Sequence, residues 1–334
     1  MRGSLHLALL FKEIESMADI KIKSMTESSL LVAITVIVAL VGVYIPLLGE
    51  VAILIWPLPI LILEVRHGLK WALLSVLAAG IIMAILIEPM SAIRLVLGFA
   101  PPAIALGYGF RRALPAGQNL LISLVTAVIS MLLALGLFLA ITGINPFNME
   151  LEMMEDTFNS SISAYEAMGV PADKVAEMKD NFGQAFKLVG MLMPLIIICS
   201  GLITTLINYV MGRKVLTHLG YNLPKLPPLD QWRLPVALFY LFGFSLVGIY
   251  WGESRNISLL TQISYNAFFL ATCTGFVQGV AILSSLLRNK ISRWMFWIII
   301  GFIFINGLLA QLLAFVGLFD MIFDYRKRFS ARRN

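Results

Sequence analysis

The chain has 334 residues, of which 59% are hydrophobic and 13% are charged, and its mean hydropathy is +0.89. Soluble domains contain roughly 25% charged residues, so this composition excludes an ordinary soluble protein and indicates a polytopic membrane protein in a lipid bilayer. The formal net charge is +6, but the basic residues form short clusters at the ends of apolar runs. Such clusters orient helices toward the cytoplasm, and they do not indicate a nucleic-acid partner.

The first apolar segment follows Lys21 and Lys23, which favour a cytoplasmic amino terminus. Residues 1–24 are therefore predicted to form a cytoplasmic tail. The first helix is predicted to begin near Ser28, because the neighbouring hydroxyl and carboxyl groups can cap a first helical turn.

A short, proline-interrupted segment comes next, with thirteen uncharged residues between Glu50 and Glu64. At about 1.5 Å per residue it reaches roughly 20 Å, less than the ~30 Å hydrocarbon core of a bilayer. Pro57 and Pro59 remove backbone donors, so the helix is predicted to break near Trp56. Irregular backbone at membrane depth persists where protein buries it or where it lines a cavity. The segment therefore indicates either a small-molecule site or a kinked packing helix.

The alternation of apolar runs and basic loops predicts about ten membrane segments with both termini in the cytoplasm. A single span after Trp294 would place the basic residues of 326–333 outside, so the turn-forming pair Asn306-Gly307 is predicted to fold this run into a hairpin of two short helices. The fold class is an all-α polytopic transmembrane bundle of about eight to ten segments. The predicted domains are the tail 1–24, membrane helices one to five (25–144), an extracytoplasmic hairpin (145–184), the carboxyl-terminal membrane helices (185–322) and a basic cytoplasmic tail (323–334).

The acidic stretch 145–184 has helical periodicity, with apolar residues at three- and four-residue spacing on both sides of Gly169 and Pro171. We predict two amphipathic helices on the outer face, because acidic residues outnumber lysines there. These helices are either a simple connection between two spans or a lid or partner surface.

Motifs of enzymes that work in membranes do not occur in the sequence. The predicted spans contain no pair of aspartates, and there is no HExxH, GxSxG or glycine-rich phosphate motif. Cys199 and Cys273 lie apart in apolar runs. We therefore predict no catalytic residue, no metal site and no cofactor.

Four residues are candidates for binding a small solute at the outer face. Glu88 and Arg94 flank the outer turn between the third and fourth helices, and Glu50 and Trp56 are expected near the same level. Ionisable groups immersed in a membrane are costly and so mark candidate sites. The alternative is that each is an ordinary interface residue in contact with water.

Small residues recur at four-residue spacing near the cytoplasmic ends of the first and third helices, as Ser29 with Ala33 and Gly68 with Ala72. Such spacing lets another helix approach closely. These four residues are predicted to dock a partner helix, and packing inside the bundle explains them equally well.

The motif TESSLLVAITVIVAL, an external turn and the motif IWPLPILILEVRHGLKWALLSVLAAG resemble the opening of the substrate-binding S components of energy-coupling-factor transporters. Over nearly all of residues 25–330, including the ending GLFDMIFDYRKR, the chain is more similar to the YybS-like family of bacterial membrane proteins. The first resemblance implies an S-component-like amino-terminal half. It also implies a ligand region at the outer ends of the first three helices and docking of a coupling transmembrane subunit with its ATPases.

Together, the residues and the resemblances predict a protein of the bacterial cytoplasmic (inner) membrane that is not an enzyme. Its predicted role is to bind or transport a small solute from the outer face. The alternative is a non-transport scaffold or regulatory protein of the bacterial envelope.

Overall fold

The computed structural model describes residues 2–45, 48–287 and 290–326, apart from the side chains of residues 2–21, Glu50 and Glu150. Its regular elements are helices, so the predicted all-α class is confirmed. The α-helices are α1 (Arg2–Tyr44), α2 (Gly49–Ile55), α3 (Leu58–His67), α4 (Leu69–Leu86), α5 (Pro89–Arg111), α6 (Ala116–Thr142), α7 (Pro146–Ala167), α8 (Ala172–Met191), α9 (Met193–His218), α10 (Ala237–Ser254), α11 (Ser258–Leu287), α12 (Arg293–Ile305) and α13 (Gly307–Phe323).

The chain divides into two compact units that each combine separate stretches of sequence. The first unit contains Met1–Met153 and Ile197–Lys225, and the second contains Met154–Ile196 and Leu226–Asn334. Most of α9 therefore belongs with α1 to α6, although the acidic hairpin separates them in the sequence.

Helix α3 lies at the centre of the first unit. Its residues 59–65 are all buried, and α1, α4 and α5 pack around it. On α9, Gly212 leaves room for the Leu61 side chain, because a Cβ atom at Gly212 would lie 2.9 Å from Leu61 Cδ2. A ten-residue helix is thus enclosed by longer ones.

Helix α6 shows how the first unit faces lipid. Its small and polar residues point inward, and large apolar residues such as Leu121, Ile129 and Leu133 are exposed. This distribution reverses that of a soluble helix and suits a bilayer, where small residues allow close helix packing. The buried residues are Ala116, Asn119, Ser123, Ala127, Ser130, Ala134 and Phe138.

The first helix begins at Arg2, so the prediction of a start near Ser28 is wrong. Thr26 and Ser29 do not cap a helix end. Their hydroxyl groups donate to the carbonyl oxygens of Ile22 and Met25, one turn earlier, at 3.0 and 2.9 Å. A hydroxyl group bonded in this way is compatible with the interior of a helix.

The second unit is built on close contact between α11 and α13. Gly275 and Gly279 of α11 face Gly317 of α13, where a Cβ atom would collide with the Gly275 carbonyl oxygen. The spacing of the first two glycines is the GxxxG pattern of closely packed membrane helices. The backbones approach so closely that only glycine fits at Gly317.

The two amphipathic helices predicted in the acidic stretch are present as α7 and α8. In the second unit their apolar faces pack together. Phe158 stacks on Phe182 with ring centroids 3.6 Å apart, and Ile162 and Val175 are buried.

Six helices in the described part of the chain are long and apolar enough to cross a membrane, and the pair α12–α13 is a possible seventh. The predicted number of eight to ten segments is larger because it includes short ones. The six helices do not include α2 and α3, which have 7 and 10 residues, and they do not include α10. The six are α1 from Ile22, α4, α5, α6, α9 and α11.

The predicted break at Asn306-Gly307 is confirmed. Asn306 Oδ1 accepts a hydrogen bond of 3.1 Å from the Leu309 backbone N–H and so caps α13. The pair α12–α13 is bent by 108°, which is less than the full reversal of a tight hairpin.

Residues 327–334 of the predicted basic tail lie outside the described residues, as do Pro46 and Leu47 of the predicted outer turn.

Candidate functional site

The interruption between α2 and α3 occurs where the prolines predicted it. Helix α2 ends at Ile55, Trp56 and Pro57 form a turn, and α3 begins at Leu58. Pro57 has no backbone N–H, so it cannot continue the hydrogen-bond ladder of α2.

Helix α9 compensates for part of this interruption. The Asn208 side-chain amide donates to the Leu54 carbonyl oxygen at 2.9 Å and to the Thr204 carbonyl oxygen at 2.8 Å. A carbonyl group beside the break therefore has a partner inside the protein, as backbone at membrane depth requires. The next residue, Tyr209, donates its hydroxyl group to the Pro224 carbonyl oxygen at 3.0 Å.

Three buried polar atoms near the break have no hydrogen-bond partner among the described residues. They are Trp56 Nε1, Asn208 Oδ1 and Thr205 Oγ1. Thr205 lies three residues before Asn208 on α9 and so shares its helical face. A buried polar atom without a partner is costly. These atoms therefore make the break a candidate binding site.

The predicted ligand residues differ in their surroundings. Trp56 is only 1% exposed, whereas Glu88 and Arg94 are exposed. Glu88 directly precedes α5 and accepts a hydrogen bond of 2.5 Å from the Ser91 hydroxyl group. None of these three lines the cavities described below. The Glu50 side chain lies outside the described part of the structure.

A groove of about 630 Å³ runs between α1 and α4 in the first unit. Ser29 and Ala33, two of the predicted docking residues, line it together with apolar side chains such as Trp71. The other two are buried elsewhere, since Gly68 lies against the Arg111 guanidinium group and Ala72 is fully enclosed.

The second unit contains a buried polar cluster at one end of α11 and α13. Asp320 accepts hydrogen bonds from Gln278 Nε2 at 2.8 Å and from Arg326 at 3.2 Å. Arg326 also donates to the carbonyl oxygens of Asp230 and Trp232. The cluster thus fixes the loop before α10 to two helices. Asp320 was not among the predicted site residues, and only its contacts reveal this role.

A second cavity of about 570 Å³ lies in the second unit between α8 and the ends of α10 and α11. Glu253 and Tyr265 line it, and the Tyr265 hydroxyl group donates to Glu253 at 2.7 Å. Lys187 and Asn256 also contribute to the lining. Glu253 and Asn256 were not among the predicted site residues.

Glu64, the charged end of the short apolar segment, was not among the predicted site residues. The structure encloses this residue, and it lines a third cavity of about 410 Å³. The glycine at position 107 in α5 is the sequence feature that allows this enclosure, but only the fold shows that Gly107 lies against Glu64.

The apolar helices, their inward small residues and the interrupted α2–α3 pair together define a polytopic all-α membrane protein with several membrane-crossing helices. The chain belongs to the DUF2232 family, described as "Predicted membrane protein", whose match covers residues 33–321. This confirms the resemblance to the YybS-like family.

One relative is "Uncharacterized protein YybS" of Bacillus subtilis (strain 168). It is 22% identical over 318 residues, which cover 92% of this chain and 98% of the relative. No solved structure matches the chain.

Proposed function

We propose that the protein binds a small polar solute in its first unit, at the interruption between α2 and α3, and takes it up from the outer face in the manner of an S component. The observation that carries the proposal is the buried break with its unpartnered polar atoms on Trp56, Thr205 and Asn208. The role is binding or transport rather than catalysis.

Interrupted helices are a common way to build solute sites in membranes, because the break frees polar groups inside the bilayer. Here the break is enclosed by longer helices, and Asn208 contacts the backbone beside it. The Trp56 indole N–H is a donor, Asn208 Oδ1 is an acceptor and the Thr205 hydroxyl group is both. Such a set suits a small molecule with several polar groups.

The exposed residues Glu88 and Arg94 carry opposite charges, and with Glu50 they are proposed to guide the solute to the break from outside. Charged groups at an entrance raise the local concentration of a polar ligand.

The groove between α1 and α4 is proposed to receive one transmembrane helix of a coupling subunit that carries ATPases. It is apolar, it lies between two candidate spans, and the small residues Ser29 and Ala33 leave room for close approach. A docking role for Gly68 and Ala72 stays a prediction.

We place the protein in the bacterial cytoplasmic membrane with both termini in the cytoplasm, because the basic residues cluster at alternate ends of the spans. An Asn334→Cys variant in a background without Cys199 and Cys273 tests this topology. An impermeant thiol reagent is expected to label it only after the membrane is opened. Labelling of intact cells would place the carboxyl terminus outside.

Native mass spectrometry of protein gently purified from its own host tests solute binding. A retained small molecule is expected in the wild-type protein. Trp56→Phe and Thr205→Val are expected to lower its occupancy about tenfold, since a lost hydrogen bond in a desolvated site weakens binding by roughly that factor. Trp294→Phe and Thr126→Val are matched controls, because Trp294 is exposed and the Thr126 hydroxyl group already donates to the Ile122 carbonyl oxygen of its own helix.

Equal occupancy in all four variants would show that the solute does not bind at the break. Purification with envelope proteins but no solute would favour the scaffold or regulatory function.

A further inference from the structure

The other end of α3 holds a second unusual polar group. Glu64 lies in the last turns of the helix and is 1% exposed, and neither carboxyl oxygen has a hydrogen-bond partner among the described residues. Helix α5 covers it closely, because Gly107 has no side chain and a Cβ atom there would lie 2.6 Å from Glu64 Cβ. An enclosed carboxyl group of this kind is costly unless a partner supplies a hydrogen-bond donor.

Two arginines at the end of α5 lie beside this carboxyl group. The Arg111 guanidinium group lies against Gly68, where a side chain would displace it. The Arg112 guanidinium group lies over the Tyr108 ring, 5.4 Å from its centroid. Within the described ranges, neither arginine forms an ion pair with a carboxylate. Both arginines are exposed, so their guanidinium groups can donate to an anionic ligand.

These side chains surround the cavity of about 410 Å³, whose lining is Glu64, Leu69, Tyr108, Arg111 and Arg112. Helix α4 begins at Leu69 and α5 ends at Arg111, and both helices are candidate membrane spans. The cavity thus lies where two spans meet the membrane surface, at the level of phospholipid headgroups. Basic pockets between membrane helices at this level are suited to lipid headgroups.

We infer that this cavity binds the headgroup of phosphatidylethanolamine. Its phosphate group matches the two guanidinium groups, which donate charge-assisted hydrogen bonds to phosphate oxygens. Its ammonium group supplies the donor that the Glu64 carboxyl group lacks. Phosphatidylcholine has the same phosphate, but its quaternary ammonium has no N–H group, so it cannot satisfy Glu64. The inference does not depend on the solute proposed for the other end of α3.

Competition between these two lipids tests the inference. The full chain is placed in nanodiscs with equal amounts of phosphatidylethanolamine and phosphatidylcholine, and native mass spectrometry counts the retained lipids. The wild-type protein is expected to retain phosphatidylethanolamine about tenfold over phosphatidylcholine, as one charge-assisted hydrogen bond allows. Glu64→Gln is expected to bring this ratio close to one. Arg111→Gln with Arg112→Gln is expected to lose both lipids.

The control is Lys214→Gln with Arg293→Gln, which removes the same charge from two exposed positions at other helix ends. It is expected to keep the tenfold preference. Equal retention of the two lipids by the wild-type protein, or an equal loss in the control, would overturn the inference. Displacement of the lipid by an equal concentration of soluble phosphoethanolamine would assign the site to a free metabolite and overturn the lipid as ligand.

Discussion

The two units use buried polar groups differently. In the second unit, Asp320 bonds to Gln278 and Arg326, and Arg326 also binds two loop carbonyl groups. In the first unit, Glu64 and Trp56 are enclosed while their polar atoms lack partners in the described protein. Asp320 Oδ1 shares that property, but the other oxygen of the same carboxylate is bonded twice.

This difference distinguishes buried polar groups that hold the helices together from buried polar groups that can bind a ligand. A network in which most polar atoms are bonded holds helices together, whereas unsatisfied groups in a folded protein reduce stability and persist where they serve a function. Substitutions that remove bonded polar groups are therefore expected to destabilise the protein, and substitutions that remove unpartnered polar groups are expected to leave its stability unchanged.

The largest expected effect comes from Asp320→Ala. This substitution would leave the charged Arg326 side chain, which is only 7% exposed, without its carboxylate partner. The free energy of unfolding is expected to fall by about 3–5 kcal/mol. Reversible denaturation in mixed micelles measures this change. Glu155→Ala, at an exposed acidic position, is the control and is expected to change stability by less than about 0.5 kcal/mol. Equal stability of the two variants would contradict a structural role for the cluster.

A matched pair of glycine substitutions tests the packing of the second unit. Gly317→Ala places a Cβ atom against the Gly275 backbone and is expected to cost about 1–3 kcal/mol. Gly301→Ala meets open space and is expected to be neutral or to stabilise α12 by up to about 1 kcal/mol. The same denaturation measurement compares them. A tolerated Gly317→Ala would show that α11 and α13 separate easily.

Two substitutions on α9 test the contrast within the first unit. Tyr209→Phe removes a hydroxyl group that is bonded to the Pro224 carbonyl oxygen, and it is expected to cost about 1 kcal/mol. Thr205→Val removes an unpartnered hydroxyl group at constant volume, so stability is expected to be unchanged or slightly higher. Thermal unfolding without added solute measures both. A larger loss for Thr205→Val would show that its hydroxyl group has a structural role.

The smallest effect is expected in the acidic hairpin. Lys179 and Glu166 form an ion pair at 3.2 Å, and both side chains are about half exposed. Lys179→Ala is expected to change the unfolding free energy by less than about 1 kcal/mol. A larger change in low salt that disappears in high salt would show that the pair fixes the hairpin.

The sequence by itself determined the features that depend on composition or on neighbouring residues. The apolar composition determined the membrane class, because a bilayer needs long apolar helices. Pro57 determined the break before α3, and Asn306 determined the break between α12 and α13, since each acts on its own backbone. The periodicity of the acidic stretch likewise predicted two amphipathic helices.

The tertiary structure alone decided which polar groups are enclosed and which have partners. Asn208 reaches the Leu54 carbonyl oxygen across 154 positions of sequence, and Gly107 brings α5 onto Glu64. A charged residue at the end of a short apolar run is ordinarily expected in water, so no local pattern predicted that Glu64 would be enclosed. Burial and hydrogen bonding depend on distant segments, and these appear only when the helices pack.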